Sequence, residues 1–182
     1  MTKSILRKYA KLIVQMGVNI KKGQGAVILA DTAQSEIALM VAEEAYRAGA
    51  KWVDVRWTNQ DLDKMRYKKE SVKVLSATQE WEKARMQYEL DELPVRIWID
   101  SDDPDGLKGV NVEKMQKANL ARMKVRKPYR DAMENKYQWT IVAVPSAKWA
   151  KKVFPHETKT RAVDAFLIEP LAFGRSARFR GI

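Results

Sequence analysis

The stretch Trp139–Phe154, WTIVAVPSAKWAKKVF, decides the fold, because a strand, a tight crossing and a helix start follow one another within it. Trp139, Ile141, Val142, Ala143 and Val144 form a near-continuous apolar run rich in β-branched side chains, the pattern of a parallel strand covered on both faces. Pro145 stops that strand. Ser146 stands where a helix N-cap belongs. Beyond it, Trp149, Ala150, Val153 and Phe154 fall on one arc of a helix and Lys148, Lys151 and Lys152 on the opposite arc. Pro155 ends the helix. Open α/β sheets carry ligands at crossings of this kind, which fixes a place to look but no chemistry.

Working outward, the same plan recurs upstream. Ser4 to Met16 places Ile5, Tyr9, Leu12, Ile13 and Met16 at helical spacing, with Gly17 as the helix end. A turn-rich link leads to Ala26–Ala30, AVILA, a fully apolar run that predicts the first buried strand. Gly23 and Gly25 precede this strand, whereas a dinucleotide-binding fingerprint needs its glycines after it, so the pair reads as a turn. Asp31 and Thr32 then offer caps to a helix whose buried side is Ile37, Leu39, Met40, Val41 and Ala45, closed by Gly49.

The second strand, Trp52–Trp57, alternates Val53 and Val55 with Asp54 and Arg56, which places it nearer a sheet edge. From Gln60 to Leu93 the chain is charged and helix-prone, with breaks expected near Glu70 and Ala77 and a cap at Asn59. Its candidate buried positions are Leu62, Met65, Tyr67, Val72, Leu75, Trp81, Met86, Tyr88 and Leu90. Val95–Asp100, VRIWID, is the third strand. The helical run Val112–Asn135 follows, with Pro128 marking a kink or a break. Four strands separated by helical segments predict an α/β fold: a four-stranded, mostly parallel sheet with right-handed crossovers and helices on both faces, a Rossmann-like three-layer sandwich.

Composition narrows the function classes. The chain of 182 residues is 46% hydrophobic with six Trp, enough for one sizeable core. It has no Cys, which removes disulfides and thiolate metal sites and suits a reducing cytoplasm. No apolar run reaches membrane-spanning length, and the opening MTKSILRKYAKL lacks the apolar core of a signal peptide. A net charge of +11 points toward an anionic partner.

Three groups of residues carry candidate chemistry. Asp100, Asp102, Asp103 and Asp105 lie at the carboxyl end of the third strand, where carboxylates can hold a hard cation or a substrate amine. Their spacing is not that of an EF-hand loop, and short acids here serve as caps and turns. The basic run Lys114, Lys117, Arg122, Lys124, Arg126, Lys127 and Arg130 would suit phosphates, but its members are spread around the helix as on a solvated face. His156 is the single histidine, so a His-rich zinc site cannot be built, and a Ser-His-Asp triad would depend wholly on this residue, which follows Pro155 in an expected exposed turn. Trp52, Trp57, Trp98, Trp139 and Trp149 sit in or beside strands and core-facing helix positions. They are expected to be buried, which leaves few stacking aromatics for nucleic acid. The residues alone thus describe a basic α/β domain with no self-contained active site.

The order of segments carries a resemblance. YAKLIVQMGVNIKKGQ, EEAYRAGAKWVDVRW, DSDDPDGLKGV and KPYRDAMENKYQWTIVAVPSAKWAKKVFP, with the distances between them, closely resemble the N-terminal domain of the thermophilic metallo-aminopeptidase family, the group of aminopeptidase T, AmpS and PepS. The likeness covers about residues 4 to 165. It implies a chain roughly twice this length, in which a second, catalytic domain supplies Glu, His and Asp ligands for two divalent metal ions (zinc, cobalt or magnesium). It also implies a homodimer that removes N-terminal residues from peptides, the metals polarising the scissile carbonyl and activating water.

Those metal motifs lie beyond the end of this chain, so no catalytic, cofactor-binding or metal residue is assigned to it. The expected organisation is an α/β domain over residues 1–166, contributing a cavity wall and an assembly surface, and an irregular tail over 167–182. There Pro170 breaks the helical pattern, as a shifted reading frame would. An apolar surface around Trp149, Phe154 and Phe166 is expected to be left open. The alternative reading is a small basic nucleic-acid-binding module.

Overall fold

The computed structural model describes residues 3–165. All four expected strands are present: β1 (Gly25–Asp31), β2 (Trp52–Thr58), β3 (Val95–Asp100) and β4 (Trp139–Ala143). They pair in parallel throughout, in the order β2-β1-β3-β4. Ile28 sits level with Val55 on one side and Ile97 on the other, and two residues away Ala26 is level with Val53 and Val95. With a side-chain period of two, this register puts every one of these apolar groups on the same face. Helices α1 (Lys3–Leu12) and α2 (Ser35–Arg47) cover that face with Leu6, Tyr9, Ala10, Ile37, Ala38 and Val41, forming the main core. Residues 159–165 are helical, and Val163 packs against the same core.

The first helix continues as a π-helical turn over Ile13–Gly17. This wider turn rotates the residues after it, so Val14 is buried while Met16, expected in the core, is exposed. Ile5 and Leu12 are half-buried. The left-handed residue after this turn is Asn19, at φ 44°. Gly17 is small for another reason: a Cβ there would lie 3.3 Å from Cγ2 and Oγ1 of Thr140 in β4. Tyr9 also ties this helix to β4, its hydroxyl donating to the Ala143 carbonyl at 3.3 Å. Gly23 and Gly49 both have positive φ, and the Gly23 N–H donates to the Gly49 carbonyl at 2.8 Å, so the turn reading holds for Gly23, whereas Gly25 is already the first residue of β1. In α2, Leu39 faces solvent and not the core.

The opposite face of the sheet departs further from expectation. Three helices do span the charged segment, α3 (Gln60–Lys69), α4 (Val72–Ser76) and α5 (Glu80–Glu92), with breaks at Glu70 and Ala77 and Asn59 capping the first. Of the apolar residues expected to be buried in them, only Leu75 is; Leu62, Met65, Trp81 and Tyr88 are exposed. The sheet face that α5 meets presents Arg56 and Arg96, so the residues turned toward it are acids. Glu89, 3% exposed, lies 2.5 Å from Arg56 and also bonds Arg96. Glu82 bonds Arg122 of α6 (Val112–Met133) and accepts from the Gln79 N–H at 2.8 Å. Trp81 instead packs under Arg85, and Tyr88 meets the Trp52 ring at 5.9 Å. Helix α6 runs unbroken through Pro128.

Strand β4 is not covered on both faces. It ends the sheet, and although Val142 packs on the core, Trp139 and Ile141 are 59% and 61% exposed. Trp139 stands edge-on to half-buried Trp98 at 6.5 Å. Trp57 is exposed as well, and Trp52, Trp98 and Trp149 are half-buried, so none of the five named tryptophans is buried as expected. The open apolar surface lies at Trp98, Trp139 and Ile141. Trp149 and Phe154 are half-buried, while Phe166 and the tail lie outside the described residues.

Candidate functional site

The chain leaves β1 for β2 on one side, whereas its other neighbour β3 leads on to β4 in the opposite direction. The carboxyl ends of β1 and β3 therefore part at a topological switch point, the usual ligand position in such sheets. A cavity of about 440 Å³ opens there, lined among others by Asp31, Gln60, Ser101, Asp102, Asp103 and Ser146.

The walls are built by local capping chemistry. Asp31 accepts from the Ala33 N–H at 2.8 Å and from the Gln60 N–H at 3.3 Å, which fixes the entries to both following helical segments. Asn59 caps α3 by accepting from Leu62 N–H at 2.9 Å, and its amide donates to Thr32 Oγ1 at 2.9 Å. Gln60 clamps the loop after β3: its Nε2 donates to the Asp103 carbonyl at 3.0 Å while its Oε1 accepts from the Asp103 N–H at 3.1 Å. Gly106 leaves room for that clamp, since a Cβ there would fall 2.1 Å from Gln60 Oε1. Ser146 caps α7 (Ala147–Val153) through the Trp149 N–H at 3.2 Å, on the opposite rim.

The acidic group is thus brought to the crevice, where Asp100 and Asp103 serve as turn acceptors. Asp100 Oδ1 accepts from Asp102 N–H at 3.4 Å and Asp103 Oδ1 from Asp105 N–H at 3.1 Å. Lys152 bonds Asp105 and holds its carboxyl below the usual range, and Lys148 Nζ lies 3.7 Å from Asp103 Oδ2. Asp102 is pushed up by burial first and then by Asp100, Asp31 and Asp63, so the crevice resists further negative charge. Asp63 is raised as well, by burial first and also by Asp31. The electrostatics favour a hydrogen-bond donor or a cation over an anion.

The other groups fall elsewhere. His156 is in an exposed turn, as expected. Of the basic run, Arg122, Arg126, Lys127 and Arg130 line one shallow groove with Asn119 and Met123. The steps of four from 122 to 130 make a row on a helix, so this half of the run is a stripe and not spread around the helix. Lys117 lies off it, paired with Glu113 at 2.8 Å. Sequence reasoning missed Gln60 and Ser101 because nothing marks a lone Gln or Ser as a loop clamp or crevice wall before the loop after β3 is placed.

Comparison with known proteins follows from this geometry. The sequence profile of the thermophilic metalloprotease family, M29, matches residues 2–175. The chain belongs to the M29 family. Aminopeptidase PepS of Streptococcus thermophilus is 34% identical over 164 residues, covering 89% of this chain and 40% of its own. Aminopeptidase AmpS of Bacillus subtilis (strain 168) is 32% identical over 159 residues, covering 87% of this chain and 39% of its own. The structure of wild-type AmpT from Thermus thermophilus superposes with a TM-score of 0.79 at 30% identity, over 91% of this chain and 42% of that one. This M29 chain therefore spans about 40% of the length of the curated relatives it matches. The resemblance read from the quoted segments and the α/β sandwich both hold.

M29 proteins are metalloproteases, and the described part of this chain does not fit a metal centre. Among the described residues no three His, Cys, Asp or Glu converge in a ligating arrangement. The carboxylates of Asp31, Asp100 and Asp103 already accept backbone N–H groups, and Asp103 also faces Lys148. No helix of the described residues is long and apolar enough to cross a membrane.

Proposed function

We propose that this chain is the N-terminal, non-metal-binding α/β domain of a metal-dependent aminopeptidase that removes N-terminal residues from peptides. The observation that carries the reading is the continuous match to relatives named as aminopeptidases, 34% identical over 164 residues in PepS, with most of each relative's length lying outside the match. In this reading a second domain, absent from the 182 residues, supplies the ligands for two divalent ions such as zinc, cobalt or magnesium. The present domain, residues 1–166, forms a wall of the peptide cavity and part of a homo-oligomeric assembly surface.

The open apolar strip at Trp98, Trp139 and Ile141 supports an assembly role, because contiguous apolar surface favours association. Absence of cysteine accords with a cytoplasmic location. Alone, the chain is inactive, since water activation by a metal needs several protein ligands placed together. A chimera tests the reading: this α/β domain joined to the part of Thermus thermophilus AmpT beyond the matched region. Metal-dependent release of the N-terminal residue from an aminoacyl chromogenic substrate, above that of the AmpT remainder alone, is expected. A folded, metal-loaded chimera no more active than that remainder would contradict it.

A further inference from the structure

On the sheet face opposite the main core, α5 and α6 enclose a second cavity, about 300 Å³, whose charge is unbalanced. Five arginines line it, Arg56, Arg85, Arg96, Arg126 and Arg130, against two glutamates, Glu82 and Glu89. Both glutamates are already engaged. Glu89 is shared by Arg56 and Arg96, and Glu82 is taken by Arg122. Of the remaining arginines, Arg85 lies over the Trp81 ring at 5.0 Å and Arg130 reaches only Asp131, at 3.6 Å. Arg126 forms no hydrogen bond or ion pair among the described residues. Its pKa is held below the usual arginine value, by desolvation first and then by repulsion from Arg122, with Arg85 also contributing.

A second observation points inward from the rim. The Nε–H of Arg96 is buried without an acceptor, although its other nitrogen bonds Glu89 and its guanidinium lies 5.4 Å from the centre of the Tyr137 ring. Buried donors without partners are uncommon in folded proteins, and one in the wall of a cation-rich cavity calls for an acceptor supplied from outside. Guanidinium groups present paired N–H donors that match the oxygens of a tetrahedral anion, and several around one space suit a multiply charged one.

We propose that this cavity binds a small oxyanion of the phosphate class, held by Arg126 and Arg130 at its mouth and Arg96 in its wall. The enclosure favours a compact anion over a polymer. The row of Arg122, Arg126 and Arg130 outside it is shallow and lies along one helix.

The test is calorimetric titration of the 182-residue chain with sodium pyrophosphate and with inorganic phosphate, at ionic strength held constant with potassium chloride. Pyrophosphate should bind saturably and more tightly than phosphate, and it should raise the melting temperature where potassium chloride does not. Arg126→Gln combined with Arg130→Gln should weaken binding by about tenfold or more. Both residues are exposed and Arg126 is repelled by its neighbours, so the ligand-free melting temperature should not fall, which separates lost binding from lost folding. Absence of saturable binding, or equal affinity in the double variant, would overturn the proposal. So would a single-stranded oligothymidylate that binds more tightly than pyrophosphate and is not displaced by it.

Discussion

Gly25 lies beneath the indole of Trp52, its partner across the β1–β2 ladder, and a Cβ at this position would stand 2.2 Å from Trp52 Cζ2. Because the ring also packs against Tyr88, relief would require a shift of the packed pair. Gly25→Ala should therefore cost about 2–3 kcal/mol by overpacking. Measured in a Trp52→Ala background by urea denaturation, most of that cost should vanish, because the two sites are coupled through one contact. Glu89 is a second sensitive residue. Glu89→Gln would leave Arg96 without a carboxylate partner and Arg56 with only Asp54, at 2.8 Å, and a loss of about 3 kcal/mol in the same measurement is expected. Glu82 sets a pH dependence. Burial raises its carboxyl pKa, but the Gln79 N–H and Arg122 together outweigh burial and leave it below the usual glutamate range. A lowered folded-state pKa contributes stability above the unfolded value and loses it as pH falls through the folded value. The urea midpoint should thus drop on acidification below about pH 4, and Glu82→Gln should flatten that limb of the profile.

At the level of elements, the strands and helix breaks were legible because periodicity and caps are local: AVILA, the Asn59 cap and the breaks at Glu70 and Ala77 stand where the residues imply. What periodicity does not convey is which face meets what. An apolar run such as Trp139–Val144 predicts a strand, but whether a layer covers each face depends on where later helices pack; here α6 leaves Trp139 and Ile141 open. Likewise α5 turns acids inward because the facing strands carry Arg56 and Arg96, a tertiary match invisible along the helix itself. The crevice was legible as a place, from strand ends and short acids, but the Gln60 clamp depends on a loop meeting α3 from 43 residues away. These assignments are separable by mutation. Ile141→Thr should change stability by no more than about 0.5 kcal/mol, against about 3 kcal/mol for fully buried Ile97→Ala. Pro128 interrupts the hydrogen-bond ladder of a continuous helix on an exposed surface, so Pro128→Ala should raise the melting temperature.

For the whole molecule, a basic chain with an acidic crevice at one end of its sheet and an arginine-lined cavity on one face belongs to a metalloprotease family while presenting no converging ligand set among its described residues. Under the function proposed above, labour is divided: the present domain would shape and cover the peptide cavity, and the metal chemistry would reside in sequence that the longer relatives carry outside the match. This division is tested by assaying the homogeneous 182-residue chain against a panel of aminoacyl chromogenic substrates with zinc, cobalt or magnesium added. Turnover no greater than the metal-only blank is expected under every condition. Metal-dependent hydrolysis that co-purifies with the chain and disappears on chelation would contradict it.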